Sequence, residues 1–133
     1  MNPTRASLAR AYERAVYIAK LPGGRVEFRF HAVPKGPAPD EPLAIVTAWN
    51  PGTERPSEAV NANANRQLEE ALKNGGWRYY PAVGRSEDGT HSEPSFAVTG
   101  ISPTSAIALA HTFRQAAVFY WDGSKPQLLW CQE

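Results

Sequence analysis

The sequence predicts an α+β fold, in which about three helices pack on a mainly antiparallel sheet of about five to six strands. Residues 25–33 alternate between apolar and polar side chains, which is typical of a half-buried strand. Asp122-Gly123 separates two apolar runs and predicts a tight type I′ hairpin. Helical and strand patterns are interspersed along the chain, and an antiparallel sheet with helices on it accommodates that order.

The composition indicates one folded domain without an obvious charged partner. The chain has 133 residues, of which 42% are hydrophobic, so we expect residues 1–133 to form a single domain. A formal net charge of +1 gives little attraction to nucleic acid or to an anionic membrane. Cys131 is the single cysteine, which rules out an internal disulfide and favours a reducing, cytoplasmic compartment. Residues 1–20 lack the apolar run of a signal peptide or membrane span.

The first half of the chain predicts one helix and two strands. Leu8, Tyr12, Val16 and Ala19 recur at helical spacing, which predicts an amphipathic helix over residues 4–20 that begins at Asn2-Pro3. The strand at 25–33 follows, and then a proline-rich loop. Residues 43–49 are apolar almost throughout and predict a central strand that is covered on both faces.

The second half predicts two helices and four strands. Helices are expected at 57–74, which is capped by Ser57 and ends at Gly75-Gly76, and at 103–113, which begins after Ser102-Pro103. The strands are expected at 77–83, 94–101, 115–121 and 125–131, the last of them at a sheet edge because it contains Pro126. We expect Leu68 and Leu72 in one core with Phe113, Val118 and Ile45.

Several familiar kinds of site are missing from the sequence. There is no glycine-rich phosphate loop, no His-Glu-x-x-His motif and no Gly-x-Ser-x-Gly elbow. His31, His91 and His111 are scattered over different predicted elements, whereas a metal site needs clustered donors. The sequence therefore predicts no bound metal and no cofactor.

The second helix carries two asparagines on its inner face. Asn61 and Asn65 share a helical stripe with Leu68 and Leu72, so their carboxamides point inward. A buried amide needs partners, because leaving it unpaired costs about 1–3 kcal/mol. Backbone groups of the Trp49-Asn50-Pro51 corner are one possible partner, and a bound ligand is the other.

Other polar residues are weaker candidates. Glu93 precedes Pro94, which holds it in an extended conformation, so it is a candidate general base or cation-binding group, or else a solvated loop carboxylate. Gln115 stands where a carboxamide often fastens a helix end. Arg66 can pair with a glutamate on its own helix or bind an anion.

Five segments together resemble a known family. They read VTAWNPGT, NANANRQLEEAL, YYPAVGR, EPSFAVTGI and FRQAAVFYW, and they span about residues 43–131 in order. The chain resembles the bacterial domain of unknown function 3293. The resemblance implies a small bacterial protein of unassigned activity, with recurring polar positions at Asn50, Asn61, Asn65, Glu93, Ser95 and Gln115.

Three functions remain open at this point. The first is a polar small-molecule site, possibly catalytic, in which Asn50, Asn61, Asn65, Glu93 and Gln115 converge on a pocket beside Trp49. The second is a nucleic-acid module that uses Trp77, Arg78, Tyr79, Tyr80 and Arg85. The third is a protein-interaction domain, in which the polar set is purely structural. The sequence does not indicate an oligomeric state.

Overall fold

The structure is a computed structural model that describes residues 4–51 and 54–131. This part of the chain contains three helices and eight strands. In chain order they are α1 (Arg5–Arg14), β1 (Val16–Leu21), β2 (Gly24–Arg29), β3 (Ala32–Lys35), β4 (Leu43–Val46), α2 (Glu58–Asn74), β5 (Arg78–Arg85), β6 (Ser92–Thr99), α3 (Pro103–Thr112), β7 (Ala117–Trp121) and β8 (Pro126–Trp130).

All eight strands belong to one sheet. Their order is β3-β2-β1-β5-β6-β4-β7-β8, and every neighbouring pair is antiparallel. The predicted α+β fold with an antiparallel sheet is thus confirmed. The sheet has two strands more than the upper end of the predicted range, and these additional strands are β1 and β3.

The prediction of a helix over 4–20 is wrong beyond Arg14, and its predicted start at Asn2-Pro3 lies outside the described residues. Helix α1 ends there, Ala15 is extended, and β1 begins at Val16. The run Val16-Tyr17-Ile18 consists of β-branched and aromatic residues, which favour strands. Four consecutive residues of β1, from Val16 to Ala19, are buried. Because both faces of β1 are covered, its apolar run has no alternation that would distinguish it from a helix.

The predicted strand at 25–33 is instead a hairpin. Strand β2 ends at Arg29, the chain turns at Phe30 and His31, and β3 returns beside it. The apolar alternation is real for Val26 and Phe28, which are buried. Phe30 also packs inward, with its ring centroid 5.5 Å from that of Phe119, but Ala32 is exposed. The alternating pattern therefore predicts the inward-facing residues of β2 but does not predict the turn.

The C-terminal hairpin is confirmed, with a different turn. Tyr120 lies opposite Gln127, so β7 and β8 pair as expected. Four residues connect the strands, whereas a type I′ turn needs two. The Asp122 carboxylate accepts hydrogen bonds from the backbone N–H groups of Ser124 and Lys125, each at 2.8 Å, and so stabilises the wider loop.

Strand β4 lies inside the sheet, as predicted, and its side chains contribute to two core layers, one on each face of the sheet. All four of its residues are buried, and it lies between β6 and β7. Ala44 and Val46 pack under α2 and α3, in the layer that contains Leu68 and Leu72. Phe113 and Val118 belong to this layer as expected, but Ile45 belongs to the other. Because strand side chains alternate, Ile45 must face away from its neighbours Ala44 and Val46.

The second layer is aromatic and lies on the opposite face of the sheet, which we call the concave face. The sheet curls so that β1 and β2 face β7, and the ring centroids of Tyr17 and Phe119 are 4.5 Å apart. Phe28 contacts both Phe119 and Trp121. Helix α1 lies at the open end of this layer, where the Tyr12 ring meets the Trp130 ring edge-on at 6.3 Å.

Candidate functional site

A cavity of about 220 Å³ opens on the concave face, between α1 and the curled sheet. Its apolar wall comes from α1 and the strands, and includes Leu8, Tyr12, Tyr17, Ile45 and Phe119. Its polar wall includes Thr47, Asn50, Arg55, Arg85, Ser86, His91, Glu93, Ser95 and Gln115. Four of the residues predicted from the sequence therefore line one cavity: Asn50, Glu93, Ser95 and Gln115.

Asn50 stands at a tight corner, residues 48–51, that follows β4. Its φ is +48°, in the left-handed region that asparagine tolerates better than most residues. The Asn50 backbone N–H donates to Asn61 Oδ1 at 2.9 Å. Asn61 Nδ2 in turn donates to Asn50 Oδ1, also at 2.9 Å. The side chain of Asn61 thus holds both the backbone and the carboxamide of Asn50.

This pairing fixes the direction of the Asn50 amide. Because Oδ1 accepts from Asn61, Nδ2 is turned the other way, and it donates to Glu93 Oε2 at 3.2 Å. A flipped amide would place oxygen against the carboxylate and nitrogen against the Asn61 amide donor. Asn50 is therefore the link between the buried amides and the cavity.

Asn65 fastens the same corner one helical turn later. Its Oδ1 accepts from the backbone N–H of Ala48 at 2.8 Å, and its Nδ2 donates to the carbonyl of Pro94 at 2.9 Å. The Thr47 hydroxyl donates to that same carbonyl at 2.8 Å. One side chain thus joins α2, the corner and the start of β6. Asn61 and Asn65 are only 3% and 8% exposed, and neither lines the cavity.

Gln115, between α3 and β7, also bonds to the corner. Its Nε2 donates to the carbonyl of Trp49 at 3.3 Å and to that of Phe113 at 3.4 Å. Trp49 contributes this carbonyl, and its side chain does not line the cavity. Arg66 lies on the exposed side of α2, where Nη2 donates to Asn63 Oδ1 at 3.4 Å. Of the two alternatives left open by the sequence, protein groups around the corner satisfy the inward asparagines.

Glu93 is the carboxylate in the cavity wall. Partial burial raises its pKa, while the Asn50 hydrogen bond and the nearby charges of Arg55 and His91 act in the opposite direction. It stands at the start of β6 opposite Gly84, and the Ser95 hydroxyl donates to its backbone carbonyl at 3.0 Å. Its backbone is thus fixed by the sheet, and its side chain by Asn50.

Two tyrosines complete the cavity and were not predicted as site residues. Burial raises the pKa of Tyr12 to about 12, and the neighbouring Glu93 charge acts in the same direction. Burial also raises the pKa of Tyr17, whose hydroxyl donates to the Tyr12 carbonyl at 2.9 Å. Both therefore remain protonated near neutral pH. The apolar stripe of α1 identified Tyr12 as inward-facing, but nothing local in the sequence places it beside Glu93.

The family model described as "Protein of unknown function (DUF3293)" matches residues 46–118, which is more than half of the chain. The chain belongs to this family. The matched residues 46–118 include all six recurring polar positions and the polar wall of the cavity, and they leave out α1 and β8. No curated protein and no solved structure matches the chain.

The described residues also bear on other kinds of site. Within 4–51 and 54–131 there is no cluster of three or more histidine, cysteine or acidic side chains that could hold a metal ion. No helix in the same part of the chain is long and apolar enough to cross a membrane.

Trp77, which immediately precedes β5, and Tyr79 of β5 do not form an exposed stacking surface. Trp77 and Tyr79 pack against the helical layer of the core, and the Tyr79 hydroxyl donates to Glu69 at 3.0 Å. Arg78 pairs with Glu41 at 3.0 Å. This arrangement offers little support for the nucleic-acid alternative.

Proposed function

We propose that the concave-face cavity binds a small polar molecule and that Glu93 makes its principal polar contact. The observation that carries the proposal is the setting of this carboxylate. It is partly withdrawn from water, yet no arginine, lysine or histidine of residues 4–51 and 54–131 forms a direct ion pair with it. Burial of an incompletely paired carboxylate costs free energy, and such groups concentrate at functional sites.

The rest of the cavity suits the same role. Asn50 and Tyr12 provide hydrogen-bond donors and Gln115 a carboxamide oxygen, while Tyr17, Ile45 and Phe119 provide an apolar wall. A concave, largely apolar pocket with a few convergent polar groups is the usual form of a small-molecule site. Asn61, Asn65 and the Trp49 carbonyl act from behind the wall by holding the corner that carries Asn50.

The activity that we propose is binding, and we propose it for a single-domain protein of the bacterial cytoplasm. A carboxylate with a raised pKa is also the group that a reaction in this cavity would use as its general base. No observation favours the nucleic-acid function as a second candidate.

A thermal-shift screen against a metabolite library tests the proposal. Wild-type protein should be stabilised by a subset of compounds, and Glu93→Gln, which keeps the hydrogen bond to Asn50 but removes the charge, should lose most of those responses. Glu87→Gln is the matched control, because Glu87 is exposed in the loop between β5 and β6. Responses that are the same in wild type and Glu93→Gln would place the binding site elsewhere.

A further inference from the structure

The cavity holds both signs of charge. Arg55 and His91 line it together with Glu93, and both lie near enough for their positive charge to act on the Glu93 carboxylate. Arg85 also lines the cavity, but it lies opposite Val16 and Ser92, on the sheet face turned away from Glu93. Arg55 is therefore the permanent cation near the Glu93 end, and the His91 imidazole is a second nitrogen donor there.

These opposite charges do not neutralise one another directly. In the described part of the chain neither Arg55 nor His91 is in ion-pair contact with Glu93 or with any other carboxylate. Opposite charges that share one cavity without touching leave a gap between them. A molecule that carries both charges can fill such a gap and pair with each end.

The Arg55 side chain is exposed, and its guanidinium bonds to the backbone beside it. Its Nη1 donates to the backbone carbonyl of Glu54 at 2.9 Å. The Glu54 carboxylate is itself paired with Arg114, at the end of α3. Arg114 has a φ of +62°, so this pair is anchored in a sharply turned segment immediately before Gln115. The segment that carries Arg55 is thus paired, through Glu54, with the residue that precedes Gln115 of the cavity wall.

The size of the cavity limits the rest of the molecule. Its volume of about 220 Å³ exceeds the roughly 150 Å³ that admits one benzene ring. The apolar wall of the same cavity, formed by Tyr17, Ile45 and Phe119, suits a single ring or a short branched chain.

We infer that the ligand is a small apolar amino acid or a close analogue, with its ammonium group at Glu93 and Asn50 and its carboxylate at Arg55 and His91. This inference rests on the proposed function and names its ligand class. The Glu93 carboxylate accepts the ammonium protons, and the guanidinium donates to the ligand carboxylate. The side chain lies against the apolar wall.

Isothermal titration calorimetry of the full chain tests the inference with phenylalanine, leucine and valine as probes. Each is compared with its decarboxylated amine and with its deaminated acid. We expect at least one amino acid to bind, and each one-ended analogue of it to bind roughly tenfold more weakly or worse, because it leaves one charged group unpaired. If none of the three binds at millimolar concentration, or if the amine binds as tightly as its amino acid, the inference is wrong.

Two substitutions test the contacts of the two charged groups of the ligand separately. Arg55→Gln should weaken binding of the amino acid and of the deaminated acid by roughly tenfold and leave binding of the amine unchanged. Glu93→Gln should weaken binding of the amino acid and of the amine. Arg66→Gln is the control, because it removes an exposed arginine from α2. If Arg55→Gln behaves like Arg66→Gln, the inference is wrong. Amine binding that still depends on Glu93 would then leave the proposed function standing.

Discussion

Asn61 and Asn50 are joined by two hydrogen bonds that run in opposite directions. Asn61 Oδ1 accepts from the Asn50 backbone, and Asn61 Nδ2 donates to the Asn50 side chain, both at 2.9 Å. No other residue type of this size offers an acceptor and a donor at these two positions. Through this pair a buried residue that never lines the cavity orients the amide that meets Glu93.

Asn61→Ala should lower the free energy of unfolding by about 1–3 kcal/mol, because it leaves the Asn50 N–H and carboxamide oxygen without their partners. Thermal or urea melts measure the loss. Asn63→Ala is the control, since Asn63 is exposed on the same helix and bonds only weakly to Arg66. A melt that matches the Asn63→Ala control would mean that water replaces the amide without cost and that the corner does not depend on Asn61.

Leu68→Ala should lower the free energy of unfolding by about 2–5 kcal/mol. Leu68 is wholly buried between α2 and the sheet, and truncation leaves a cavity that the sheet cannot collapse to fill. Val60→Ala is the control on the same helix, because Val60 is 57% exposed, and its effect should stay within about 0.5 kcal/mol. Equal effects in denaturant melts would show that the inner face of α2 has been misassigned.

Glu93→Gln should change how stability depends on pH. The pKa of Glu93 is raised above its ordinary 4.5, mainly by burial, so the folded chain binds this proton more tightly than the unfolded chain does. Its contribution to stability is therefore full below the unfolded pKa and is lost as pH rises through the folded pKa. Glutamine carries no charge to bury, so the variant should melt above wild type at neutral pH.

That difference in stability should narrow as the pH falls through the folded pKa of Glu93, and it should level off below the ordinary value of 4.5, where Glu93 is protonated in both states. Paired melting curves of the two proteins from pH 4 to pH 8 measure it, and the other titrating groups cancel because both proteins share them. A difference that widens on acidification would contradict the direction of the pKa shift. Higher stability together with lost ligand response is the combination expected of a functional carboxylate.

Trp130→Ala should loosen α1 selectively. The described residues of α1 are not buried, and the helix is held to β8 by the Tyr12 ring and by the Arg5 guanidinium, 4.3 Å from the centre of the Trp130 ring. Loss of both contacts lowers the free energy of local opening of α1 by about 1–2 kcal/mol. Amide exchange in α1 should therefore become roughly tenfold faster while β4 stays protected.

Hydrogen-exchange mass spectrometry measures this, with Leu129→Ala as the control. Leu129 adjoins Trp130 but packs on the helical layer of the core, so its truncation should destabilise the whole domain and not α1 alone. If the Trp130→Ala variant leaves α1 exchange unchanged, the helix is held by other contacts.

Local periodicity explains which elements the sequence could predict. Leu68, Leu72 and the paired strands around Asp122 follow simple repeats, and their burial and pairing were predicted from them. Strand β1 was missed because burial on both faces removes alternation from Val16–Ala19. The turn at Phe30 was missed because alternation continues through it.

For the candidate site, the sequence could predict the buried amide contacts but not the residues that meet around the cavity. The bonds from Asn61 and Asn65 to the corner were foreseeable as one alternative, because a short connection joins the corner to α2. Tyr12, Arg55 and His91 come from three separate segments that meet only because the sheet curls and α1 crosses its open end. No local pattern carries that information, and the unlike charges of Glu93 and Arg55 could be related only in three dimensions.

The side-chain amide region of a ¹H–¹⁵N NMR spectrum tests the location of the site most directly. The protein is titrated with the compound that gives the largest stabilisation in the thermal-shift screen. The Asn50 Nδ2 and Gln115 Nε2 resonances should shift most, while those of Asn63 and Asn74, on the exposed side and the end of α2, stay in place. Unchanged Asn50 and Gln115 signals, with shifts confined to other side-chain amides such as those of Asn63, Asn74 or Gln127, would contradict a binding site at Glu93.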